Sequence, residues 1–443
     1  MFLRVRAELL KTGTPSWTVR VRDNTSAGAL YALDGATFDS GTVATLTRDL
    51  NAPSGWNATA GAYTATRSAA PFALLDVAYQ SMQLVLTANA STVFPELVFF
   101  WSPANVPVDG DVTIGEIDTT FFDLPAGAVP AAIYVLGAAD VDTDEFDTHV
   151  VAHEWGHYYQ YAFSRDDSMG GFHDPLEQLD LRVAFSEGWG DAFSGMATGD
   201  PLYRDSFDVD QATSFDASLE SGVVTDRGWY SEGSIALLLY DLFDGGAGDD
   251  DALQIGFGPF HTAMQSLTTT QAFTGVHPFL RRLLTSAPAQ AAAITALATS
   301  HQIVAAQADD FAPTEANDGG GAIDLPIYTA IGPGQLRNVC STGAPGQTYN
   351  KLGNISLMRI TLASAYSGTV TVTGDDPDSD PDIVIYEDGL EVTRSEDLGD
   401  ESFTLSLPAG TYTVEVFDSS NVYGDFLGIT PLGDTCIDVT MAP

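Results

Sequence analysis

Residues 150–163 read Val-Val-Ala-His-Glu-Trp-Gly-His-Tyr-Tyr-Gln-Tyr-Ala-Phe, and the fold prediction starts from this stretch. Apolar residues before His153 and aromatic residues after His157 indicate a helix inside the protein. Residues four apart lie on one helix face, so both imidazoles can reach one metal ion, with Glu154 beside them. H-E-x-x-H also occurs by chance, and such histidines are usually satisfied core residues. The context favours a metal, because two buried imidazoles and a carboxylate need partners.

A second apolar helix, over residues 182–196, provides acidic partners for this site. Its apolar stripe leaves Glu187 and Asp191 stacked on a different face, and two acids in that setting favour a nearby cation. A catalytic zinc commonly binds two histidines, one glutamate and water. We therefore predict zinc ligation by His153, His157 and Glu187. Asp191 is predicted to accept the free ring N–H of a ligand histidine.

H-E-x-x-H followed by E-x-x-x-D on a second helix resembles the gluzincin metallopeptidases, which include thermolysin and fungalysin. The sequences His-Glu-Trp-Gly-His and Glu-Gly-Trp-Gly-Asp are most similar to fungalysin-like proteins, and the resemblance covers about residues 95–300. It implies a sheet lobe and a helical lobe around a zinc cleft. It also implies a peptide or protein substrate, Glu154 as general base, and residues 133–137 as the strand that pairs with the substrate.

Two residues are candidates for stabilising negative charge on the substrate oxygen. Fungalysin-like sequences open a later helix with His-x-x-Gly, and Tyr230 stands in that histidine position here. The resemblance therefore implies Tyr230 as the donor, while packing beside Trp229 stays an alternative. His173 is the next candidate, as a proton donor or a subsite residue on the loop between the two metal helices. An ordinary loop histidine is an equal alternative.

The start of the first metal helix carries several acids. Asp142 to Glu145 fits a capping box, in which the two side chains satisfy backbone N–H groups at the helix start. Asp144, Glu145 and Asp147 are predicted to lie in the first turn, where the helix dipole favours negative charge.

The charge balance excludes some functions. The chain has 443 residues with 60 acids against 17 bases, only two of them lysines, for a net charge of −43. This charge repels phosphate backbones and anionic headgroups, which argues against nucleic-acid or membrane binding through a basic patch. Many acids with little lysine indicate solubility in salty surroundings, calcium sites, or both. No apolar stretch is long enough for a transmembrane helix. The first residues lack a signal peptide's apolar core, so we expect that an export signal was removed or never existed.

The length and patterning predict an α+β protein with several domains. Residues 1–68 alternate in short strands and form an N-terminal β-rich unit. Residues 69–307 form the zinc peptidase domain, with a first helix at 71–90, buried strands at 97–101 and 132–136, and a helical part. Residues 308–326 are acidic and Gly-rich and are predicted as a linker. Residues 327–443 alternate again and predict a β-sandwich.

The predicted sandwich resembles the bacterial pre-peptidase C-terminal domain, which accompanies secreted peptidases. The resemblance lies in Asp380-Pro381-Asp382 with the Ile-Val-Ile-Tyr-Glu-Asp-Gly after it, and in the later Leu-Pro-Ala-Gly-Thr-Tyr-Thr-Val-Glu-Val. One loop of this domain is crowded with acids whose hard oxygens suit calcium, and an exposed acidic turn without metal is equally plausible. These acids are Asp375, Asp376, Asp378, Asp380 and Asp382.

The only two cysteines are Cys340 and Cys436, near the ends of the predicted sandwich. Such a pair favours a disulfide and hence an oxidising compartment. Together these features predict a secreted, periplasmic or cell-surface monomer that hydrolyses peptide bonds with zinc. The alternative is a non-catalytic surface or adhesive protein on a zinc-bound peptidase scaffold. Glu154 separates the two, because a binding module does not need it.

Overall fold

The computed structural model describes residues 1–42, 44–245, 253–342 and 349–443. It contains helices and several sheets, as the predicted α+β class requires. The chain forms two compact units: the first contains Met1–Ala162 and Gly190–Gly222, and the second contains Phe163–Trp189 and Val223–Pro443. The four segments predicted from sequence remain a prediction. In the described ranges, no helix is both long and apolar enough to cross a bilayer.

The first unit combines short strands, a central mixed sheet, the helix α1 and all but the last residue of α2. Its elements before the second metal helix are β1 (Arg4–Arg6), β2 (Glu8–Lys11), β3 (Trp17–Asp23), β4 (Ala29–Leu30), β5 (Ala32–Asp34), β6 (Trp56–Asn57), β7 (Ala62–Tyr63), α1 (Ala70–Ala88), β8 (Leu97–Trp101), β9 (Phe121–Asp123), β10 (Ala131–Val135) and α2 (Thr148–Phe163). Then follow α3 (Leu181–Thr198) and a hairpin, β11 (Leu202–Phe207) and β12 (Thr213–Ser218). Helix α3 contributes its first half to the second unit.

The main sheet of the first unit has the strand order β2-β3-β8-β10-β9, with β4 paired to β3. β8 and β10 are apolar because they are internal strands, and they pair in parallel. The prediction that residues 133–137 pair with the substrate is contradicted at Ile133 and Tyr134, which lie between two strands. Ile133 pairs with Phe99 on one side and Phe122 on the other, so its strand has no open edge. The sheet edge on this side is β9, whose three residues are too few for a periodic signal.

The start of α2 also differs from the prediction. Asp144–Phe146 form a separate 3₁₀ turn without a side-chain cap, and α2 begins at Thr148 with no acid in its first turn. The acids are turned to other partners: Asp144 accepts from Thr120, and Asp147 accepts from Ser206. Glu145 of the predicted capping box accepts from Arg67 and Trp101, so tertiary hydrogen bonds replace that box.

The second unit contains the remaining described helices and strands. They are α4 (Glu232–Phe243), α5 (Phe257–Ser266), α6 (Val276–Ser286), α7 (Ala291–Ser300), β13 (Tyr328–Ile331), β14 (Gln335–Ser341), β15 (Ser356–Leu362), β16 (Tyr366–Gly374), β17 (Pro381–Glu387), β18 (Leu390–Ser395), β19 (Glu401–Leu407), β20 (Gly410–Asp418), α8 (Ser419–Leu427) and β21 (Thr435–Met441). The predicted β-sandwich is confirmed: one sheet has the order β13-β15-β20-β17-β18, and the other has β14-β21-β16-β19.

Apolar side chains from both sheets form one buried core in this sandwich, including Met358, Val372, Ile385 and Val416. Alternate residues of each strand face inward, which is the two-residue period of the sequence. The predicted disulfide is also present. Cys340 and Cys436 lie opposite each other on the antiparallel strands β14 and β21 and are bonded.

Candidate metal centre

The two histidines of α2 face each other across one helical turn. The Nε2 atoms of His153 and His157 are 3.1 Å apart. The Nδ1 atom of His153 lies 2.9 Å from a carboxylate oxygen of Asp191, and Nδ1 of His157 lies 3.2 Å from the Gln160 side-chain oxygen. A carboxylate and an amide oxygen only accept hydrogen bonds, so each Nδ1 carries the proton. Each neutral ring then presents a lone pair at Nε2.

This arrangement fits a metal ion. The two Nε2 atoms are 3.1 Å apart, close to the roughly 3.3 Å between two nitrogens on a tetrahedral zinc. A carboxylate oxygen of Glu187 completes the set, since one ligand atom from each of His153, His157 and Glu187 lies within 4.8 Å of the other two. The donors are two imidazoles and one carboxylate, which is a recurring set for catalytic zinc.

Glycines on α2 and α3 allow these two helices to approach each other closely. A Cβ at Gly190 would lie 2.8 Å from the ring of His153, and one at Gly156 would lie 3.1 Å from the Cα of Gly190. Gly188 faces another helix, because its Cβ would meet the Glu232 carbonyl oxygen at 2.8 Å. The glycines in the Trp-Gly-His and Gly-Trp-Gly motifs therefore permit close helix packing. These glycines stand in the two helix motifs, but a sequence motif alone does not show how closely two helices pack.

Glu154 is buried next to the sheet edge. One of its carboxylate oxygens accepts a hydrogen bond from the backbone N–H of Phe122 on β9, at 2.8 Å. This bond restrains the carboxylate and connects the edge strand to the residue predicted as general base. Sequence spacing held no signal for this contact, because 32 residues separate the two.

His173 lies between two acids of the second unit. Its Nδ1 is 2.7 Å from a carboxylate oxygen of Glu232, and its Nε2 is 3.4 Å from a carboxylate oxygen of the predicted ligand Glu187. Glu232 is itself buried in the first turn of α4, where Ser231 is the N-cap. The Nδ1–H donates to Glu232, and the opposite edge of the ring, with Nε2, faces Glu187. Sequence analysis did not find Glu232.

Tyr230 is occupied elsewhere in the same unit. Its hydroxyl donates to the Arg227 carbonyl and to the Asn317 side-chain oxygen, both at 3.2 Å. Its ring packs edge-on against Trp229 with centroids 5.3 Å apart. Burial raises the pKa of this phenol, which keeps it protonated. These contacts favour the alternative that Tyr230 packs beside Trp229 and does not contact a substrate.

A second set of possible metal donors lies in the first unit. Asp142, Asp144, Asp147 and Asp205 each place one carboxylate oxygen within 4.8 Å of the others. Asp144 is 3% exposed, and its Oδ1 has no hydrogen-bond partner. Burial and the neighbouring acids raise the pKa of Asp144 well above its usual value. Asp142, Asp144 and Asp147 are predicted from the sequence at the start of α2, whereas Asp205 lies on β11 and no sequence pattern indicates it.

The acidic loop proposed for calcium does not form a comparable set in the described residues. Asp375 accepts from the Cys436 N–H, Asp376 from the Asp378 N–H, and Asp380 from the Gly399 N–H. Asp382 is buried, and burial with the nearby Asp380 raises its pKa to about 8. Backbone N–H groups donate to three of these carboxylates, which favours the alternative of an acidic turn without metal.

Comparisons with known proteins find structural likenesses over about a quarter of the chain. No family model and no curated protein matches the chain. Similar solved structures include the pre-peptidase C-terminal domain of a collagenase from Bacillus anthracis, with 14% identity, 26% of this chain and 97% of that chain covered, and a TM-score of 0.20. A β-glucosidase from Paenibacillus barengoltzii has 13% identity, covers 26% of this chain and 12% of that chain, and has a TM-score of 0.13. At these scores neither likeness identifies the fold or function of this chain.

Proposed function

We propose that this protein is a zinc-dependent peptidase with a thermolysin-like catalytic domain. The observation that carries the proposal is the pair of imidazole Nε2 atoms, 3.1 Å apart, with each Nδ1 atom on an oxygen acceptor. Glu187 supplies the third donor. Peptide or protein substrates and a secreted or cell-surface location belong to the same proposal. The disulfide supports that location, because such bonds persist in oxidising compartments.

Zinc at this site would polarise a scissile carbonyl group and acidify a water molecule. The chain's own residues perform the proton transfers. Glu154 takes a proton from the attacking water and returns it to the departing amine, while the Phe122 N–H holds its carboxylate in place. In its imidazolium form His173 donates its Nδ1–H to Glu232 and its Nε2–H to the substrate oxygen that becomes negative.

The strand that docks the substrate is β9 in this proposal. Among the described strands β9 pairs with β10 alone, and the Phe122 N–H donates to Glu154. An extended peptide added to this edge would therefore run beside the general base.

The test is peptide hydrolysis by zinc-loaded protein, with zinc measured in the same preparation. A mixed peptide library is digested and the products are sequenced by mass spectrometry, which also gives the cleavage preference. Glu154→Gln should keep about one zinc per chain and lose about 100- to 10,000-fold in turnover, the usual contribution of general acid–base catalysis. Asp76→Asn, on the exposed face of α1, is the control and should match wild type.

Two outcomes would contradict the proposal. Equal hydrolysis by wild type and Glu154→Gln would show that the activity comes from elsewhere. A zinc-loaded wild-type chain that cleaves no peptide would support the non-catalytic surface protein.

A further inference from the structure

Residues 349–352, a loop segment of the C-terminal sandwich domain between β14 and β15, lie along the loop that connects the two metal helices. The two segments form backbone hydrogen bonds. The Asp180 N–H donates to the Asn350 carbonyl at 2.8 Å, and the Leu352 N–H donates to the Gln178 carbonyl at 3.0 Å. These bonds join the sandwich directly to the start of α3, which carries Glu187.

Two side chains of this segment reach further along the same loop. The Asn350 amide donates to the carbonyls of Gly170 and Phe172, at 2.8 and 3.1 Å. The Lys351 ammonium also donates to the Phe172 carbonyl, at 3.0 Å, and pairs with Glu177 at 2.6 Å. Two donors on one carbonyl restrain the backbone immediately before His173.

The side chains of Asn350 and Lys351 are both buried, as expected for residues that hold the loop in one conformation. Asn350 is fully buried, and Lys351, one of only two lysines in the chain, is 6% exposed. Burying an ammonium group is costly unless it is paired and hydrogen-bonded, and here its partners are Glu177 and the Phe172 carbonyl. Gly171, with φ of +93°, lies within the held turn, and a Cβ there would meet the Tyr349 hydroxyl at 2.6 Å. The turn therefore has one well-defined backbone path.

We propose that Asn350 and Lys351 are positioning residues for His173. They hold the Phe172 carbonyl so that the His173 ring stays between Glu232 and Glu187. This inference rests on the proposed function for its catalytic consequence, and on the described contacts for its structural part. In this proposal the C-terminal domain contributes two residues that support the active site.

The first test measures the His173 ring without activity. Metal-free protein labelled with ¹⁵N-histidine should give one Nδ1–H signal from the bond to Glu232, identified by its loss in His173→Ala. Asn350→Ala and Lys351→Met should shift or remove that signal and leave those of His261 and His301 in place. Lys11→Met, at the other lysine, should change nothing. An unshifted His173 signal in both variants would overturn the proposal whether or not the protein is a peptidase.

The second test measures coupling in the zinc-loaded protein. Asn350→Ala and Lys351→Met should each keep one zinc per chain and lower kcat about 10- to 100-fold, as lost supporting contacts commonly do, with KM within about twofold. On a His173→Ala background the same substitutions should cost less than about twofold, because they act through His173. A full loss on that background would overturn the positioning role. Loss of activity in Glu154→Gln would still support the peptidase.

Discussion

At the scale of single residues, Glu187 and Asp191 lie one turn apart on α3 and have different partners. Glu187 belongs to the donor set, whereas Asp191 contacts Nδ1 of His153 at 2.9 Å and so fixes its tautomer. Glu187→Ala should therefore abolish tight zinc retention. Asp191→Ala should lower zinc affinity about 10- to 100-fold, as outer partners do. Competition with a chelator measures both, and equal losses would mean that the two roles are misassigned.

The candidate oxyanion donors are also separable by single substitutions. His173→Ala removes a ring that lies 3.4 Å from the proposed ligand Glu187, so turnover should fall about 100- to 1000-fold with zinc retained. Tyr230→Phe deletes a hydroxyl that is bonded to Asn317 and Arg227, and its turnover should stay near wild type. Turnover, zinc content and melting temperature are measured on the same preparations. The opposite ranking would return the role to Tyr230.

At the scale of elements, the approach of α2 to α3 depends on glycine. A Cβ at Gly190 would overlap the His153 ring, so Gly190→Ala should move that ring and lower zinc affinity by at least about tenfold. Gly258→Ala on α5 is the matched control, because no atom lies within 4 Å of its added Cβ. Zinc titration with a fluorescent indicator gives both affinities. Equal affinity in the two variants would contradict the packing role of Gly190.

The residues of the candidate site that could be predicted from the sequence are those spaced by whole helical turns on α2 or α3. His153, His157, Glu187 and Asp191 lie on two long helices, whose period places side chains on known faces. The roles of Glu232 and Asn350 were not predictable, since they reach the His173 loop from 59 and 178 residues away. The predicted capping box does not form, because Glu145 accepts from the distant side chains of Arg67 and Trp101. Patterns report which face a residue occupies, and they do not report which distant segment meets that face.

At the scale of the whole molecule, folding requires burial of acids in a chain with a net charge of −43. Burial raises the pKa of Glu145 to about 8, of Asp147 to about 7, of Asp205 to about 6 and of Asp382 to about 8. In the unfolded chain these groups ionise near pH 4. The folded state therefore binds more protons between these limits, and the free energy of unfolding should fall as the pH rises through them.

We therefore expect the metal-free protein to unfold at lower urea concentration at pH 8 than at pH 5, with a chelator present at both. The chelator matters because zinc release from protonated histidines would otherwise reverse the trend at low pH. Asp147→Asn and Asp382→Asn each replace a buried acid by a neutral amide of similar shape, one in each unit. Each should reduce the difference between the two pH values, whereas the exposed Asp109→Asn should not. Higher stability at pH 8 in the wild-type chain would mean that ion pairs, such as that of Arg182 with Asp180 and Glu415, outweigh the buried acids.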